Sequence, residues 1–237
     1  MSQTTDIRPI SNTTVIIIMG TFVPRPLRFV YTPLADIFRE RGYRVRTLGI
    51  PCLGLGSLDG AADALEQRVF TDDPDEKFIF VGHSQGGVHT LDLASCHPEK
   101  VLAVFNFAAP HHGTRLANLG SWVAWVPAIR GMAAHSQHLH ELRGVKAFEE
   151  ENIHSLFTVF DQLVVPWFAS GMLGAQNVVL VPKTLQRLLK GAGLTRSNGT
   201  ELIHGYADHL FIIWHKQFHA YIERTLDQLE ATARIAT

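Results

Sequence analysis

The sequence predicts an α/β protein with a mostly parallel central sheet and helices on both faces. Three observations lead there. Short β-rich runs alternate with longer stretches of helical period along most of the chain. The run Phe78–Val81 is apolar at every position, as a strand buried on two faces must be. No internal repeat, low-complexity tract or Pro/Ser-rich linker interrupts the pattern, so residues 1–237 are expected to form one domain.

In order, residues 15–19 read as a strand and 27–41 as a helix stopped at Gly42. Residues 44–50 read as a strand, 58–70 as a helix and 78–81 as a buried strand, followed by a helix over 85–96 that ends before Pro98. Strands are expected at 101–107, 156–160 and 178–181, and a long helix over about 210–231. Between Pro110 and Glu151 the alternation lapses. There the uncharged stretch 116–129 carries Trp122 and Trp125, and a lid or cap insertion is expected at about 112–150. In parallel sheets of this kind a ligand sits beyond the carboxyl ends of the strands, so the chemistry is sought in those loops.

Composition narrows the classes. Twenty-one Lys and Arg balance twenty-two Asp and Glu, a net charge of -1 that leaves no electrostatic footprint for nucleic acid. Two cysteines make no disulfide framework, and Cys52 and Cys96 are expected at opposite ends of the sheet, out of bonding reach. Residues 162–182 are uncharged but broken by Pro166, Gly171, Gly174, Gln176 and Asn177, which argues against a membrane helix. Residues 1–12 are polar and the apolar run 15–19 is too short for a signal peptide, so a cytoplasmic location is the default.

The sharpest signal is Gly82-His83-Ser84-Gln85-Gly86-Gly87, a G-x-S-x-G pattern set between a strand and a helix. Small neighbours keep Cβ atoms out of a crowded strand–helix turn. The helix start turns its positive end toward any oxyanion forming at the serine. Ser84 is the expected nucleophile. This segment resembles the nucleophile elbow of bacterial lipases and esterases in the α/β-hydrolase superfamily. The resemblance implies an α/β-hydrolase fold and a Ser, Asp, His order along the chain.

The acid is expected at Asp161, where a β-rich run ends and Val-Val-Pro follows; similar enzymes carry their acid in such a setting. Asp208 and the trio 149–151 compete with it. The base is expected at His209, in the loop before the last helix, with His204 in reserve. Residues 182–203 are longer than the usual link to that loop. Oxyanion donors are expected at the N–H groups of Gln85 and Thr21, with Phe22 as the alternative, because Gly20 follows the first strand where similar lipases have His-Gly. Ala109–Thr114 resembles the P-H-x-G-[ST] segment that leads into the lid of such lipases. Phe22, His83, His111, Trp122, Trp125 and Trp167 are the expected substrate-binding residues.

His135, His138 and His140 invite a metal reading, since histidines three apart share a helix face; a polar helix face is the plainer one, and no metal or cofactor is expected. The expected reaction is two-step acyl transfer from an apolar ester to water, with a lipid or other small-molecule ester as the partner and transient contact with a lipid interface. An acyltransferase or thioesterase acting on a carrier-bound acyl group is the alternative, and a non-catalytic binding protein of the same fold the third.

Overall fold

The computed structural model describes residues 9–70, 73–119, 126–134, 136–144, 152–191 and 200–235. Seven strands form one sheet in the order β2-β1-β3-β4-β5-β6-β7, and every neighbouring pair is parallel. They are β1 (Thr13–Ile18), β2 (Arg44–Leu48), β3 (Lys77–His83), β4 (Val101–Phe107), β5 (Ile153–Thr158), β6 (Gln176–Val181) and β7 (Thr200–His204). The helices are α1 (Thr32–Arg39), α2 (Leu58–Val69), α3 (Gln85–Cys96), α4 (Arg115–Leu119), α5 (Pro127–Gly131), α6 (Gln137–Gly144), α7 (Lys183–Gly191) and α8 (Lys216–Ile235).

The period of two along the strands divides the core. Val15, Ile17, Ile79, Val81, Phe105 and Phe107 face one way and pack with Phe38 of α1 and Phe218 and Ile222 of α8. Ile16, Ile18, Phe78, Phe80 and Val104 face the other way, onto Leu65 and Val69 of α2 and Leu93 of α3. Helices therefore cover both faces, and the loops leaving the strands gather at one edge.

Local chemistry sets the helix ends. Ser57 caps α2 by accepting the Gly60 N–H at 3.2 Å. After α1, Gly42 takes a left-handed φ of 87°, so that Gly42 N–H reaches the Arg39 carbonyl and Tyr43 N–H the Phe38 carbonyl. The helix expected over 27–41 is divided: a 3-10 segment, Arg25–Tyr31, precedes α1. Pro33 explains the division, because a proline nearly two turns into a continuous helix would remove a hydrogen bond and clash with the preceding turn. The last helix is divided too. A 3-10 turn at Phe211–Trp214 is followed by extended His215 before α8 begins. Residues 183–191 and 200–204, expected as a long connection, form α7 and the edge strand β7.

Within 112–150 the described residues form three short helices. Leu139 of α6 is buried against Val88 of α3 and Leu58 of α2. His138 clamps the same junction: Nδ1 donates to Asp59 at 2.7 Å, and Nε2 lies 3.1 Å from an Asp92 oxygen, off the line of a good hydrogen bond. His140 is exposed, and His135 lies outside the described residues. No described helix is long and apolar enough to cross a membrane, and Cys52 and Cys96 are both free.

The Asp92 carboxylate, helped by Asp59 and opposed by burial, raises His138 to about 9. A raised folded pKa adds stability that is complete below the ordinary histidine pKa of 6.5 and disappears as pH rises to about 9. The melting temperature is therefore expected to fall across that window. His138→Gln should start lower and lose that component of the slope, which thermal melts at closely spaced pH values will read.

Candidate active site

Ser84 stands at the junction of β3 and α3 with φ 56° and ψ −127°, a conformation that L-residues rarely adopt. Packing enforces it. A Cβ on Gly82 would strike the backbone of Gly87, one on Gly86 the carbonyls of Ile18 and Met19, and one on Gly87 the side chain of Ala109. Ser84 N–H donates to the Phe107 carbonyl at 2.8 Å, and Gly87 N–H to the Ser84 carbonyl at 2.9 Å.

Asp161 and His209 meet although 48 residues separate them. Nδ1 of His209 lies 3.0 and 2.9 Å from the two Asp161 oxygens, and both residues are buried. Asp161 Oδ1 also accepts from the N–H groups of Leu163 and Val164, at 2.9 and 2.7 Å. The carboxyl oxygens accept from His209 Nδ1, which leaves Nε2 as the nitrogen turned away from Asp161. Its Nε2 is buried and has no hydrogen-bond partner among the described residues, and no bond to the Ser84 hydroxyl is formed. His209 and Ser84 line one cavity of about 220 Å³, with Gly20, Thr21, Phe22, Pro110, Ile129 and Leu163 among its other walls.

Side chains tie the loops around this cavity together. The Thr114 hydroxyl donates to the Leu163 carbonyl at 2.8 Å and accepts from Val165 N–H at 3.0 Å, fastening the acid loop to the loop after β4. Gln162 Oε1 accepts the His209 N–H, and Thr158 Oγ1 donates to the Ala207 carbonyl. Tyr31 accepts from Gly20 N–H at 3.0 Å, so its own proton goes to His83 Nδ1 at 2.9 Å. His83 Nε2–H then donates to the His209 carbonyl at 2.8 Å. Burial, with the nearby charge of His209, pushes His83 down to about 4 and keeps it neutral.

Several expected site residues are elsewhere or otherwise engaged. His83 borders the cavity, but both ring nitrogens are spent on the scaffold, so it holds loops in place. Phe22 lines the mouth with its ring exposed, yet its N–H donates to the Leu53 carbonyl at 2.9 Å and is not free for an oxyanion. Gln85 N–H, in the first turn of α3, has no acceptor within the helix, and Thr21 N–H has no partner among the described residues. The Thr21 hydroxyl, however, is committed to Gln85 Oε1.

His111 is buried, its imidazole pushed down to about 3 by burial and by His112; Pro110 lines the cavity in its place. Trp167 stacks on Phe157 and lines a separate groove with Phe168 and Leu173. Trp122 and Trp125 lie outside the described residues, as does the trio 149–151. Asp208 Oδ1 caps the turn after it by accepting from Leu210 and Phe211. His204 ends the edge strand β7, and among the described residues no group of three side chains is arranged to hold a metal. The sequence reading missed Tyr31, which no motif marks. The P-H-x-G-[ST] motif marks Thr114 but does not encode that its hydroxyl bridges two loops.

The parallel sheet, the strand–Ser84–helix turn and the loops gathered above it define an α/β-hydrolase fold. Among solved structures, Aspergillus fumigatus lipase B is similar with a TM-score of 0.60 and 16% identity over 85% of this chain. The match covers 49% of that lipase, so this chain spans about half its length. A structure from the metagenome-derived lipolytic pair LipS and LipT matches at 0.55 and 16% identity, over 94% of this chain and 96% of the other. Paleococcus ferrophilus monoacylglycerol lipase matches at 0.55 and 15%, over the same two shares. No protein-family model matches the sequence, and no curated protein matches it.

The crowding at the turn yields a stability test. Gly86→Ala puts a methyl group into two backbone carbonyls that cannot swing aside. It is expected to cost about 2 kcal/mol or more, or to prevent folding. Gly56→Ala meets nothing within 4 Å and should be close to neutral. Urea midpoints for the two variants check the contrast.

Proposed function

We propose that this protein is a serine-dependent carboxylic-ester hydrolase that acts on an apolar acyl ester. The observation that carries the reading is His209, with Nδ1 held by a buried carboxylate and Nε2 unpartnered, in the same cavity as Ser84. A serine hydroxyl is a weak nucleophile and needs a base, and an imidazole needs a carboxylate to hold its tautomer and stabilise its charged form.

In this reading the Ser84 hydroxyl attacks the ester carbonyl while Nε2 of His209 takes its proton. Asp161 stabilises the imidazolium, and the N–H groups of Gln85 and Thr21 receive the negative charge forming on the carbonyl oxygen. The imidazolium returns the proton to the leaving alcohol, and the ester bond breaks to leave an acyl-enzyme. Water, activated by the same nitrogen, then releases the acid. In apo enzymes the serine–histidine bond is often long and tightens with substrate, which accommodates the unpartnered Nε2.

Val23, Leu55, Ile129, Met132, Leu163 and Leu210 line the cavity and support an apolar acyl group. At about 220 Å³ it is smaller than the roughly 300–1,000 Å³ of cavities that hold drug-sized ligands. Leu53, Leu163 and Leu210, exposed beside the cavity or on its rim, support transient contact with a lipid surface.

Hydrolysis of p-nitrophenyl esters of increasing acyl length is expected to peak at short to medium chains. Ser84→Ala and His209→Ala should each lower kcat by about 10³-fold or more. A fluorophosphonate probe should label the wild type and leave Ser84→Ala unlabelled. Labelling that survives Ser84→Ala would sink the mechanism. An optimum at long chains would keep the chemistry and overturn the size argument.

A further inference from the structure

A second run of polar groups lies outside the acyl-transfer machinery and ends on it. Thr21 Oγ1 donates to Gln85 Oε1 at 2.6 Å, and the Gln85 amide nitrogen faces His89 Nε2 at 3.5 Å. His89 Nδ1 meets Asp92 Oδ2 at 3.1 Å. The other Asp92 oxygen faces His138 Nε2, and His138 Nδ1 reaches Asp59. Gln85 and His89 are fully buried and Asp92 is nearly so. Four elements contribute: the loop after β1, helix α3 with three residues, α6 and α2.

The directions of the protons follow from the charged end. Burial pushes the Asp92 carboxyl up, but His138 and His89 together overcome it and hold it below the usual carboxylate range. A carboxylate only accepts, so His89 donates to it from Nδ1, the tautomer that leaves Nε2 bare. A bare Nε2 calls for the NH₂ end of the Gln85 amide, which leaves Oε1 for the Thr21 hydroxyl. Reversing the amide would set its oxygen against the lone pair of His89. The charge on Asp92 thus selects one amide orientation two residues away in the network.

That orientation matters because Thr21 N–H is a proposed oxyanion donor. Gly20 is tied to Tyr31 and Phe22 to the Leu53 carbonyl. Cys52, Leu53 and Gly54, with φ values of 51°, 56° and 75°, form a left-handed run beside the Thr21–Gln85 contact. A Cβ on Gly54 would sit 2.6 Å from Gln85 Oε1 and 3.2 Å from Thr21 Cγ2. The contact is therefore packed as well as hydrogen-bonded.

We propose that the Gln85 side chain, His89 and Asp92 are positioning residues that hold Thr21 N–H over the oxyanion, with His138 as the outer counter-ion that links α6 to the same loop. The inference rests on the ester-hydrolase reading. It assigns the Gln85 side chain a role distinct from that of its backbone N–H.

The test uses the full chain and a short-chain p-nitrophenyl ester. Kinetics, fluorophosphonate labelling and melting temperature are measured for wild type, Asp92→Asn, Thr21→Val and Thr21→Ser. Asp92→Asn and Thr21→Val are expected to lower kcat at least about tenfold while KM stays within about twofold, since an oxyanion donor acts in the transition state. Thr21→Ser keeps the hydroxyl and should return kcat to within about threefold of wild type. The proposal is overturned if either folded variant, Asp92→Asn or Thr21→Val, keeps wild-type kcat below its melting temperature, because a merely structural role would move stability alone. Should Asp92→Asn fail to fold, the Thr21→Val and Thr21→Ser pair decides. A wild type that neither hydrolyses the ester nor labels at Ser84 would instead defeat the hydrolase reading, and this inference with it.

Discussion

Between β3 and α3 the chain reverses direction in a space that admits no side chain on three of its residues. The carbonyls of Ile18 and Met19 press on Gly86, and Ala109 presses on Gly87. The turn can close only with Ser84 in a left-handed conformation, its N–H bonded to the end of β4. Every other feature of the site is placed relative to that turn. Because the strands are all parallel, the loops after β1, β2, β4, β5 and β7 leave from the same edge and converge above it.

Convergence is harder for His209 than for the rest. In the order β3-β4-β5-β6-β7, its strand lies four spacings from the elbow strand, about 19 Å at roughly 4.8 Å per spacing. Five residues, 205–209, span at most about 17 Å. The backbone therefore runs back across the strand ends with no slack, and the His83 side chain reaches out from β3 to meet it. Its hydrogen bonds mark the route: Gly205 to Val181 of β6, Ala207 to Thr158 of β5, His209 to Gln162 and finally to His83 of β3. His83 is the far anchor. Held neutral by burial, it can sit with its ring 5.1 Å from that of His209 without repelling a proton taken up there.

The sheet and the elbow were legible because strong local signals and tertiary packing agree there. A buried apolar run, three glycines and a helical stretch allow one arrangement at residues 78–96. Asp161 and His209 could be picked out because each sits at a chemically distinctive loop end. Elsewhere local and long-range forces part. β7 carries Glu201 and His204 on an open edge, so it lacks the apolar run that betrays an interior strand. Trp167 looks like a pocket residue by composition, but the turn at residues 167–170 delivers it to Phe157 instead. The hydroxyl of Thr21 and the ring of Tyr31 take their meaning from partners 64 and 52 residues away, which no local pattern encodes.

Strain is distributed as unevenly as chemistry. Among the described residues, six non-glycine residues have positive φ, and five of them lie in loops at the carboxyl edge: Phe22, Cys52, Leu53, Ser84 and Ala108. Only Asn12 lies at the opposite end, just before β1. Each such residue costs about 1–2 kcal/mol, so the five together approach the 5–15 kcal/mol by which a whole domain is stable. A chain tolerates that only where surrounding contacts over-determine the backbone. Here the contacts are the crowded glycines around Ser84, the Leu53 carbonyl on Phe22, and Gly54 against Thr21 and Gln85. Below them, the apolar residues of the strands pack against helices on both faces and stabilise the frame that carries these loops. The same strained loops carry the groups proposed to act on a substrate. Their rigidity is then part of the chemistry, because a donor that must meet a charge lasting only as long as a transition state has no time to be reoriented.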